Sequence, residues 1–184
     1  MRSHELPEWQ TLLEVISLLN KLGIPYMLTG SLAKTFYATP RMTRDIDIVV
    51  ELEASDVTSV VTGFEGSFYI DKDAVYSAIK ESRMFNILHL RFHVKVDLIV
   101  RKVDEYRKVE FSRRRELTLN GIKCWVVSPE DLILSKLWWA KDSLSDLQLS
   151  DVKDLMMSVQ LDHAYIENWV KKLSLEHVYG MVKK

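Results

Sequence analysis

The stretch TGSLAKTFYATPRMTRDIDIVV, residues 29–50, decides the fold and the site that this sequence predicts. It ends by placing Asp45 and Asp47 one residue apart in an apolar run, DIDIVV, that is typical of a buried strand. Alternate residues of a strand face the same side, so both carboxylates should project together, about 6–7 Å apart. Burying like charges side by side is costly unless a cation shares the site. The pattern therefore favours a divalent-cation site, although two exposed aspartates at a strand end would show the same spacing.

Two further features support such a site. Asp97 lies in KVDLIV, a second apolar run of similar texture, so three carboxylates meet at one sheet edge if the two strands are neighbours. Gly30 and Ser31 form a turn into a short predicted helix that Ser31 can cap, where backbone N–H groups can face an anion. Arg41 and Arg44 follow closely enough to neutralise phosphate charge. One nucleoside triphosphate with its metal ion would satisfy all of these groups.

The order of predicted elements is an α/β half followed by a helical third. Apolar spacing and capping signals predict helices over 8–22, 31–38, 54–63, 103–113, 129–141, 149–159 and 162–173. Strands are predicted in PYMLTG, DIDIVVEL, NILHLRF and VKVDLIV, and in the hairpin ELTLNGIKCWVVS, whose Asn-Gly pair suits a two-residue turn. We expect an α/β (α+β) fold with a mixed sheet and flanking helices. Residues 1–127 would form the α/β domain, and residues 128–184 a helical C-terminal subdomain packed on it.

The composition sets the broad class of protein. With 184 residues and 47% hydrophobic residues, the chain can build one domain with a real core. A net charge of −1 argues against nucleic-acid binding through broad electrostatics. Cys124 is the single cysteine, which excludes an intrachain disulfide and fits a reducing compartment. The first ten residues lack the apolar core of a secretory signal, and no run approaches the roughly 20 apolar residues of a membrane helix. We therefore expect a cytoplasmic protein with no membrane partner.

The motifs resemble a known superfamily. Gly-Ser, thirteen residues, Asp-Ile-Asp and a later apolar-Asp-apolar strand together resemble the DNA polymerase β-type nucleotidyltransferases, over roughly residues 8–127. Within that superfamily, PRMTRDIDI is similar to the Arg-x-Thr-x-Asp-x-Asp signature of small bacterial and archaeal members near the AbiEii toxin group. VVSPEDLILSKL and LSDVKDL resemble that group's Ser-Pro-Glu-Asp-Leu…Lys and Lys-Asp-x-x-Asp-type elements.

The resemblance implies a role for each matching residue. The expected catalytic and metal-binding residues, for Mg²⁺ or Mn²⁺, are Asp45, Asp47 and Asp97. The expected nucleotide-binding residues are Gly30, Ser31, Arg41, Arg44, Lys136 and Asp151. Among these, Lys136 would contact phosphate and Asp151 would play a supporting polar role.

The activity implied is transfer of a nucleoside monophosphate from an NTP to a hydroxyl acceptor, with release of pyrophosphate. Metal ions would neutralise charge at the α-phosphorus, and Asp97 would hold a second metal and assist deprotonation of the hydroxyl. The acceptor stays open between a small molecule, a protein side chain and an RNA end such as that of tRNA, and a toxin or antitoxin partner is conceivable. The alternative is a non-catalytic nucleotide-binding or antitoxin-like module of the same fold.

Several residues also have ordinary explanations. Asp97 could pair with Arg91 or Lys95, and Lys136 could lie on the solvent face of its helix. The loop arginines could be solvated. The run SRRRE, 112–116, could touch RNA phosphate but is more typical of a solvated helix end. The tryptophan pair 138–139 is expected to pack against the sheet domain.

Overall fold

The computed structural model describes residues 6–183, within which nine α-helices and seven strands form the expected α/β fold. The strands are β1 Tyr26–Thr29, β2 Ile46–Val50, β3 Phe68–Tyr69, β4 Met84–His89, β5 Lys95–Val100, β6 Arg115–Leu119 and β7 Ile122–Val126. The helices are α1 Pro7–Leu22, α2 Gly30–Lys34, α3 Val57–Phe64, α4 Lys72–Glu81, α5 Glu105–Ser112, α6 Pro129–Ser143, α7 Asp146–Ser158, α8 His163–Lys172 and α9 Glu176–Val182. Residues 1–5, part of the segment in which we expect no secretory signal, lie outside the described residues.

The sheet is mixed, and its order brings the predicted site strands together. The strands are arranged β3-β4-β5-β2-β1-β7-β6. The pairs β2–β5 and β1–β7 are parallel, and the other four pairs are antiparallel. The strand of Asp97 is therefore the direct neighbour of the strand of Asp47, which is the condition for their carboxylates to meet.

Burial alternates along β2 and separates a core face from a site face. Ile46, Ile48 and Val50 are buried, whereas Asp47 and Val49 are only half-buried. The buried set joins one continuous apolar core with residues of α1 and α3. Burial of an isoleucine side chain contributes roughly 1.5–3 kcal/mol, which holds β2 in the register that turns Asp47 away from the core.

Local signals account for two turns near the C-terminal helices. Asn120 and Gly121 both have positive φ, 48° and 80°, as a primed two-residue hairpin turn requires. The hydroxyl of Ser128 accepts a hydrogen bond from the backbone N–H of Asp131 at 3.1 Å, and Pro129 occupies the first turn of α6. Both features agree with the sequence-based expectation.

Some local predictions were wrong. The sequence reasoning missed α4, α9 and the two-residue strand β3. Both helices bury apolar residues at helical spacing, Val75 and Ala78 in α4 and Val178, Tyr179 and Val182 in α9, so their signal was present but not used. β3 is too short to show a pattern. Ser31 does not cap α2, since the helix begins at Gly30 and Thr29 occupies the N-cap position. The side chain of Ser31 is thereby left for another contact.

The tryptophan pair does not pack against the sheet domain as expected. Trp138 is 43% exposed and Trp139 is 71% exposed. The first nine residues of α6 are buried, but beyond Leu137 only Ala140 is, so the helix emerges from the interior.

None of the helices within residues 6–183 has the length and the apolar run that crossing a bilayer requires. The division into residues 1–127 and 128–184 stays a prediction.

The arginine run 112–116, which joins α5 to the start of β6, is not a solvated helix end. Arg113 pairs with Asp131 at 3.1 Å and its guanidinium lies 3.8 Å from the centre of the Tyr165 ring. Arg114 lies over aromatic rings, and Arg115 reaches Glu130 at 3.4 Å. These contacts belong to a group that we call the α6 ion-pair network: Arg107, Glu110, Arg113, Arg115, Glu130 and Asp131. The run therefore fastens α6 to its neighbours.

Candidate active site

Four polar side chains line up across the site face of the sheet. Thr29 on β1 is paired with Asp47 on β2, Asp47 with Asp97 on β5, and Asp97 with Asn86 on β4. Residues paired across neighbouring strands share a face, and neighbouring strands lie about 4.8 Å apart. Two of the three predicted carboxylates therefore stand side by side. We call these four residues the polar row.

Position 30 has no room for a side chain, because the carboxylate of Asp47 packs against it. Gly30 has φ of +69°, a region that favours glycine. A Cβ atom at position 30 would lie 2.0 Å from Oδ2 of Asp47, well inside any allowed contact. The carboxylate of Asp47 is thus packed against the bend where β1 turns into α2. This contact is the physical reason for the Gly-Ser turn.

Asp47 carries a charge that its surroundings oppose. Burial, then repulsion from Asp97 and from Asp45, raises the pKa of Asp47 to about 6. Asp45 itself lies just before β2 and is exposed. The cations Lys136 and Lys95 lower the pKa but do not balance the rise. This region therefore holds more negative charge than the protein neutralises.

Asp97 is held from two sides. Its Oδ1 accepts a hydrogen bond from the side-chain amide of Asn86, and its Oδ2 lies 3.0 Å from Nζ of Lys95. The hydrogen bond to Asp97 raises the pKa of Lys95, whose side chain is half-exposed. The Lys95 pairing that the sequence left open is therefore formed. Asn86 was missed, although its place between Phe85 and Ile87, both buried, signals that it faces the other side of β4.

The fit of a divalent ion can be judged from these groups. Within residues 6–183, no three His, Cys, Asp or Glu side chains are already gathered tightly enough to hold a metal ion. The donor set nevertheless suits a hard cation, because Asp45, Asp47 and Asp97 offer carboxylate oxygens in a region of excess negative charge. A carboxylate accepts up to about four hydrogen bonds or metal contacts. Asp97 therefore keeps capacity beyond Asn86 and Lys95.

The predicted phosphate-binding cations converge on Asp151. Arg41 donates from Nε and Nη2 to the two oxygens of Asp151, at 3.1 and 3.2 Å. Lys136 contacts Oδ2 at 2.8 Å, and Lys34 contacts Oδ1 at 3.0 Å. The other Nη2 contact of Arg41 is to the hydroxyl of Ser31. We call Lys34, Arg41, Lys136 and Asp151 the Asp151 cluster.

Burial and charge act in opposite directions in the Asp151 cluster. Burial alone would raise the pKa of Asp151, but hydrogen bonds from Arg41, Lys136 and Lys34 lower it to about 2. Burial lowers the pKa of Lys136, and its pairing with Asp151 opposes that effect. Asp151 therefore stays ionised, and three cations face it.

The structure separates the remaining predictions. Arg44 is exposed, and no hydrogen bond or ion pair joins it to the rest of the described chain. Lys34 was not predicted, although its position three residues after Ser31 places both on one side of α2. Lys34 also contacts Asp154 at 2.6 Å. No sequence signal pointed to that partner, which lies 120 positions away.

A separate cavity of about 370 Å³ lies between α1 and the β4–β5 turn. It is lined by Gln10, Glu14, Gly66, Ser67, His89, Leu90, Arg91 and Phe92. His89 is buried there, with Nε2 3.0 Å from Glu14 and Nδ1 accepting from two backbone N–H groups. The cavity contains none of the predicted site residues.

The architecture is that of the nucleotidyltransferases. No protein-family model matches the sequence, and no curated protein matches it. Solved structures do match. The chain is similar to ANT(2'')-Ia in complex with adenylyl-2''-tobramycin, with a TM-score of 0.59 and 12% identity over 92% of this chain and 97% of that one. It is also similar to the lincomycin-bound lincosamide adenylyltransferase LnuA, with a TM-score of 0.55 and 14% identity over 80% and 96%.

A third similar structure is an antigenic nucleotidyltransferase-like protein from Paracoccidioides brasiliensis. Its TM-score is 0.56 and its identity 20%, over 93% of this chain and 91% of that one. At these identities the likeness establishes the fold. The mixed α/β fold with flanking helices is therefore confirmed as the fold of nucleotidyltransferases.

Proposed function

We propose that this protein is a metal-dependent nucleotidyltransferase that transfers a nucleoside monophosphate from an NTP to a hydroxyl group. The observation that carries the proposal is the pairing of Asp47 with Asp97 on parallel neighbouring strands, with Asp47 packed on Gly30. The excess negative charge of this pair suits Mg²⁺ or Mn²⁺ bound with a triphosphate. Membership of the DNA polymerase β-type superfamily, near the AbiEii group, is part of the proposal.

The reaction is an in-line displacement at the α-phosphorus. The acceptor oxygen forms a bond to the α-phosphorus while the bond from that phosphorus to the bridging oxygen breaks, and pyrophosphate leaves with the electron pair. The proton of the hydroxyl passes to the carboxylate of Asp97, which acts as the general base. A divalent ion held by Asp45, Asp47 and Asp97 would neutralise charge at the reacting phosphate and on the leaving group.

The triphosphate is held by side chains around the β1–α2 bend. Ser31 offers its hydroxyl, and Gly30 lets the backbone approach the ligand. Arg41 and Lys136 are the cations with geometry for phosphate, because both lie next to this bend and Arg41 already touches Ser31. Exposed Arg44 is proposed to meet the outermost phosphate. Asp151 pairs with Arg41 and Lys136 in the absence of nucleotide.

The acceptor is the least constrained part of the proposal. The similar structures named for tobramycin and lincomycin make a small-molecule hydroxyl the first class to test. A protein side chain and a tRNA end are the other two classes. A toxin or antitoxin partner would fall in the class of protein acceptors. The arginines of the run 112–116 already pair with acids or aromatic rings of this protein, although Arg115 stays 49% exposed, and this pairing disfavours them as an RNA contact.

The experiment is transfer of label from α-³²P NTPs. Each NTP is incubated with purified protein, Mg²⁺ or Mn²⁺, and in turn an antibiotic panel, cell protein and total tRNA. We expect one acceptor to become labelled by the wild type but not by Asp47→Asn or Asp97→Asn. Asp142→Asn, which changes an exposed aspartate on α6, is the matched control and should label normally.

Binding and transfer distinguish the two classes of function. Stabilisation by NTP with metal, but no labelled acceptor in any fraction, would favour the non-catalytic nucleotide-binding module. Labelling that survives in both Asp47→Asn and Asp97→Asn would contradict the carboxylate site itself. Substitutions to asparagine keep the shape of each side chain, so a loss of labelling reports charge.

A further inference from the structure

We propose that Asp151 occupies, in the nucleotide-free protein, the place that triphosphate oxygens take on Arg41 and Lys136, so that nucleotide binding is an exchange of one anion for another. The inference rests on the proposed function, because it assumes that these cations bind the triphosphate. It goes beyond that function by making the carboxylate a competitor of the substrate. A supporting residue would help binding, whereas a competitor opposes it.

The geometry of the Asp151 cluster carries this inference. The fork of Arg41 grips both oxygens of Asp151, and Lys136 and Lys34 complete the shell. Two oxygens thus receive four charged contacts between 2.8 and 3.2 Å. A guanidinium fork and ammonium groups bind phosphate oxygens in the same manner. Asp151 therefore presents to the cations what a phosphate would present.

The charges make exchange favourable. The side chain of Asp151 is 2% exposed, and those of Lys34 and Lys136 are 2% and 4% exposed. Two buried lysines and Arg41, which is 27% exposed, would be in an unfavourable position without the Asp151 counterion. A triphosphate brings more negative charge than one carboxylate, so it can take over Arg41 and Lys136 while Lys34 remains with Asp151 and Asp154. Lys34 is the contact that keeps Asp151 in reach.

A neighbouring carboxylate provides a matched control. Asp154 lies on the same helix and contacts Lys34 alone, at 2.6 Å. Its side chain is 36% exposed, and it touches neither Arg41 nor Lys136. Asp151→Asn and Asp154→Asn each remove one negative charge from α7. Only Asp151→Asn removes the group that competes for the phosphate-binding cations.

The test uses tripolyphosphate as the probe, in EDTA so that no metal takes part. We expect Asp151→Asn to bind it about tenfold more tightly than the wild type by titration calorimetry, which corresponds to ~1.4 kcal/mol. We also expect this variant to melt below the wild type without the probe and to gain more from adding it, because phosphate restores the missing counterion. Asp154→Asn should bind like the wild type.

A second measurement follows the wild type itself and uses a variant only to assign one signal. In ¹⁵N-arginine-labelled wild type, the Nε–H resonance of Arg41, assigned by its loss in Arg41→Lys, should shift as tripolyphosphate is added. The Nε–H of Arg101, which pairs with Glu51 at 3.1 Å, should stay in place. Exchange of the partner of Arg41 predicts this difference between the two signals.

The outcomes separate the inference from the function beneath it. A wild type that binds neither tripolyphosphate nor any NTP overturns the proposed function. A wild type that binds them, while Asp151→Asn binds equally or more weakly, overturns the inference alone. The same holds if Asp154→Asn tightens binding as much, since the effect would then be general charge. An Arg41 signal that does not move at saturation also overturns it.

Discussion

The polar row and the α6 ion-pair network both bury carboxylates, and they treat the charge in opposite ways. In the network, Asp131 is fully buried, accepts 2.6 Å hydrogen bonds from Ser128 and Tyr165, and pairs with Arg113. In the row, Asp47 faces Asp97 across the strands, and its pKa is raised to about 6. One region satisfies its acids with protein groups, and the other leaves like charges together.

The difference separates a structural use of carboxylates from the ligand-binding use that we propose for the polar row. A buried acid that only supports the fold needs a complete set of donors, because an unsatisfied charge costs several kcal/mol. A set of acids left with excess charge is stable only at some cost, and a cation from outside can remove that cost. The Asp151 cluster lies between the two, since its charges are balanced but exchangeable.

The largest expected effect on stability comes from removing a carboxylate of the α6 ion-pair network. Asp131→Ala should lower the free energy of unfolding by about 3–5 kcal/mol, because it leaves Arg113 and Tyr165 without their buried partner. Urea unfolding measures this. Asp45→Ala, at an exposed position beside the row, should change the stability by less than about 0.5 kcal/mol. Equal losses in both variants would remove the distinction between the regions.

The next effect tests the contact between Gly30 and Asp47. Gly30 and Gly23 both have φ of +69°, but a Cβ meets nothing within 4 Å at Gly23 and meets Asp47 at Gly30. Both changes to alanine should cost about 1–2 kcal/mol of stability through the backbone. If Asp47 has its proposed catalytic role, only Gly30→Ala should lower nucleotidyl transfer, by about 100-fold, because it displaces that carboxylate. The measurement is the initial rate of label transfer for each variant.

A similar loss of transfer in Gly23→Ala would assign the effect to general destabilisation. Unchanged transfer in Gly30→Ala would show that the position of Asp47 does not matter to the reaction. Because the two glycines have the same positive φ, the pair isolates the side-chain contact.

A smaller effect follows from the charge of the row. The folded-state pKa of Asp47, about 6, lies above its ordinary value of 3.8. Below pH 4 the Asp47 carboxyl is protonated in the folded protein and costs no stability. Between pH 4 and pH 6 the free energy of unfolding falls, and above that range the cost of the ionised group is constant. Without metal, Asp47→Asn should be more stable than the wild type by about 2 kcal/mol at pH 8, less where solvent screens the charge. The two should converge at pH 4.

Urea unfolding in EDTA at pH 4 and pH 8 measures the difference in stability between Asp47→Asn and the wild type. Asp142→Asn, at an exposed site on α6, should show no such difference between pH 4 and pH 8. A wild type that is more stable than Asp47→Asn at pH 8 would mean that its carboxylate is satisfied by protein groups, as Asp131 is.

The strands of the row could be predicted because their signals are local. DIDIVV and KVDLIV are short, mostly apolar runs in which the polar residues alternate with apolar ones, which is typical of strands. Thirteen residues separate the Gly-Ser turn from DIDIVV, so Asp47, Asp97 and Gly30 could be identified together. Asn86 was within reach too, since its neighbours on β4 are buried. The pairing of Asn86 with Asp97 depends on the register of the β4–β5 hairpin, and the sequence of the turn between these strands does not predict that register.

The Asp151 cluster could be predicted only in part. The family resemblance pointed to Lys136 and Asp151, but not to their mutual contact. Lys34 and Asp154 meet because α2 and α7 both pack against α6, and no periodicity within α2 or α7 predicts which side chains face each other. The same holds for the arginine run: its composition suggested a solvated helix end, whereas its acidic partners lie on α6. Partners distant in sequence are fixed by packing.

The smallest effect sharpens the comparison at Lys95, the only cation that contacts a row carboxylate within the described chain. Lys95 lies 3.0 Å from Asp97 and its side chain is 48% exposed, so the pair is worth at most about 1 kcal/mol. If the row binds a divalent ion, Lys95 competes with that ion for the same oxygens. Lys95→Met should therefore raise Mn²⁺ affinity by about three- to fivefold, measured by electron paramagnetic resonance of free Mn²⁺. Lys102→Met, exposed beyond the other end of β5, should leave that affinity unchanged. Weaker Mn²⁺ binding in Lys95→Met would instead make Lys95 part of a satisfied network, and the row would then resemble the region around Asp131.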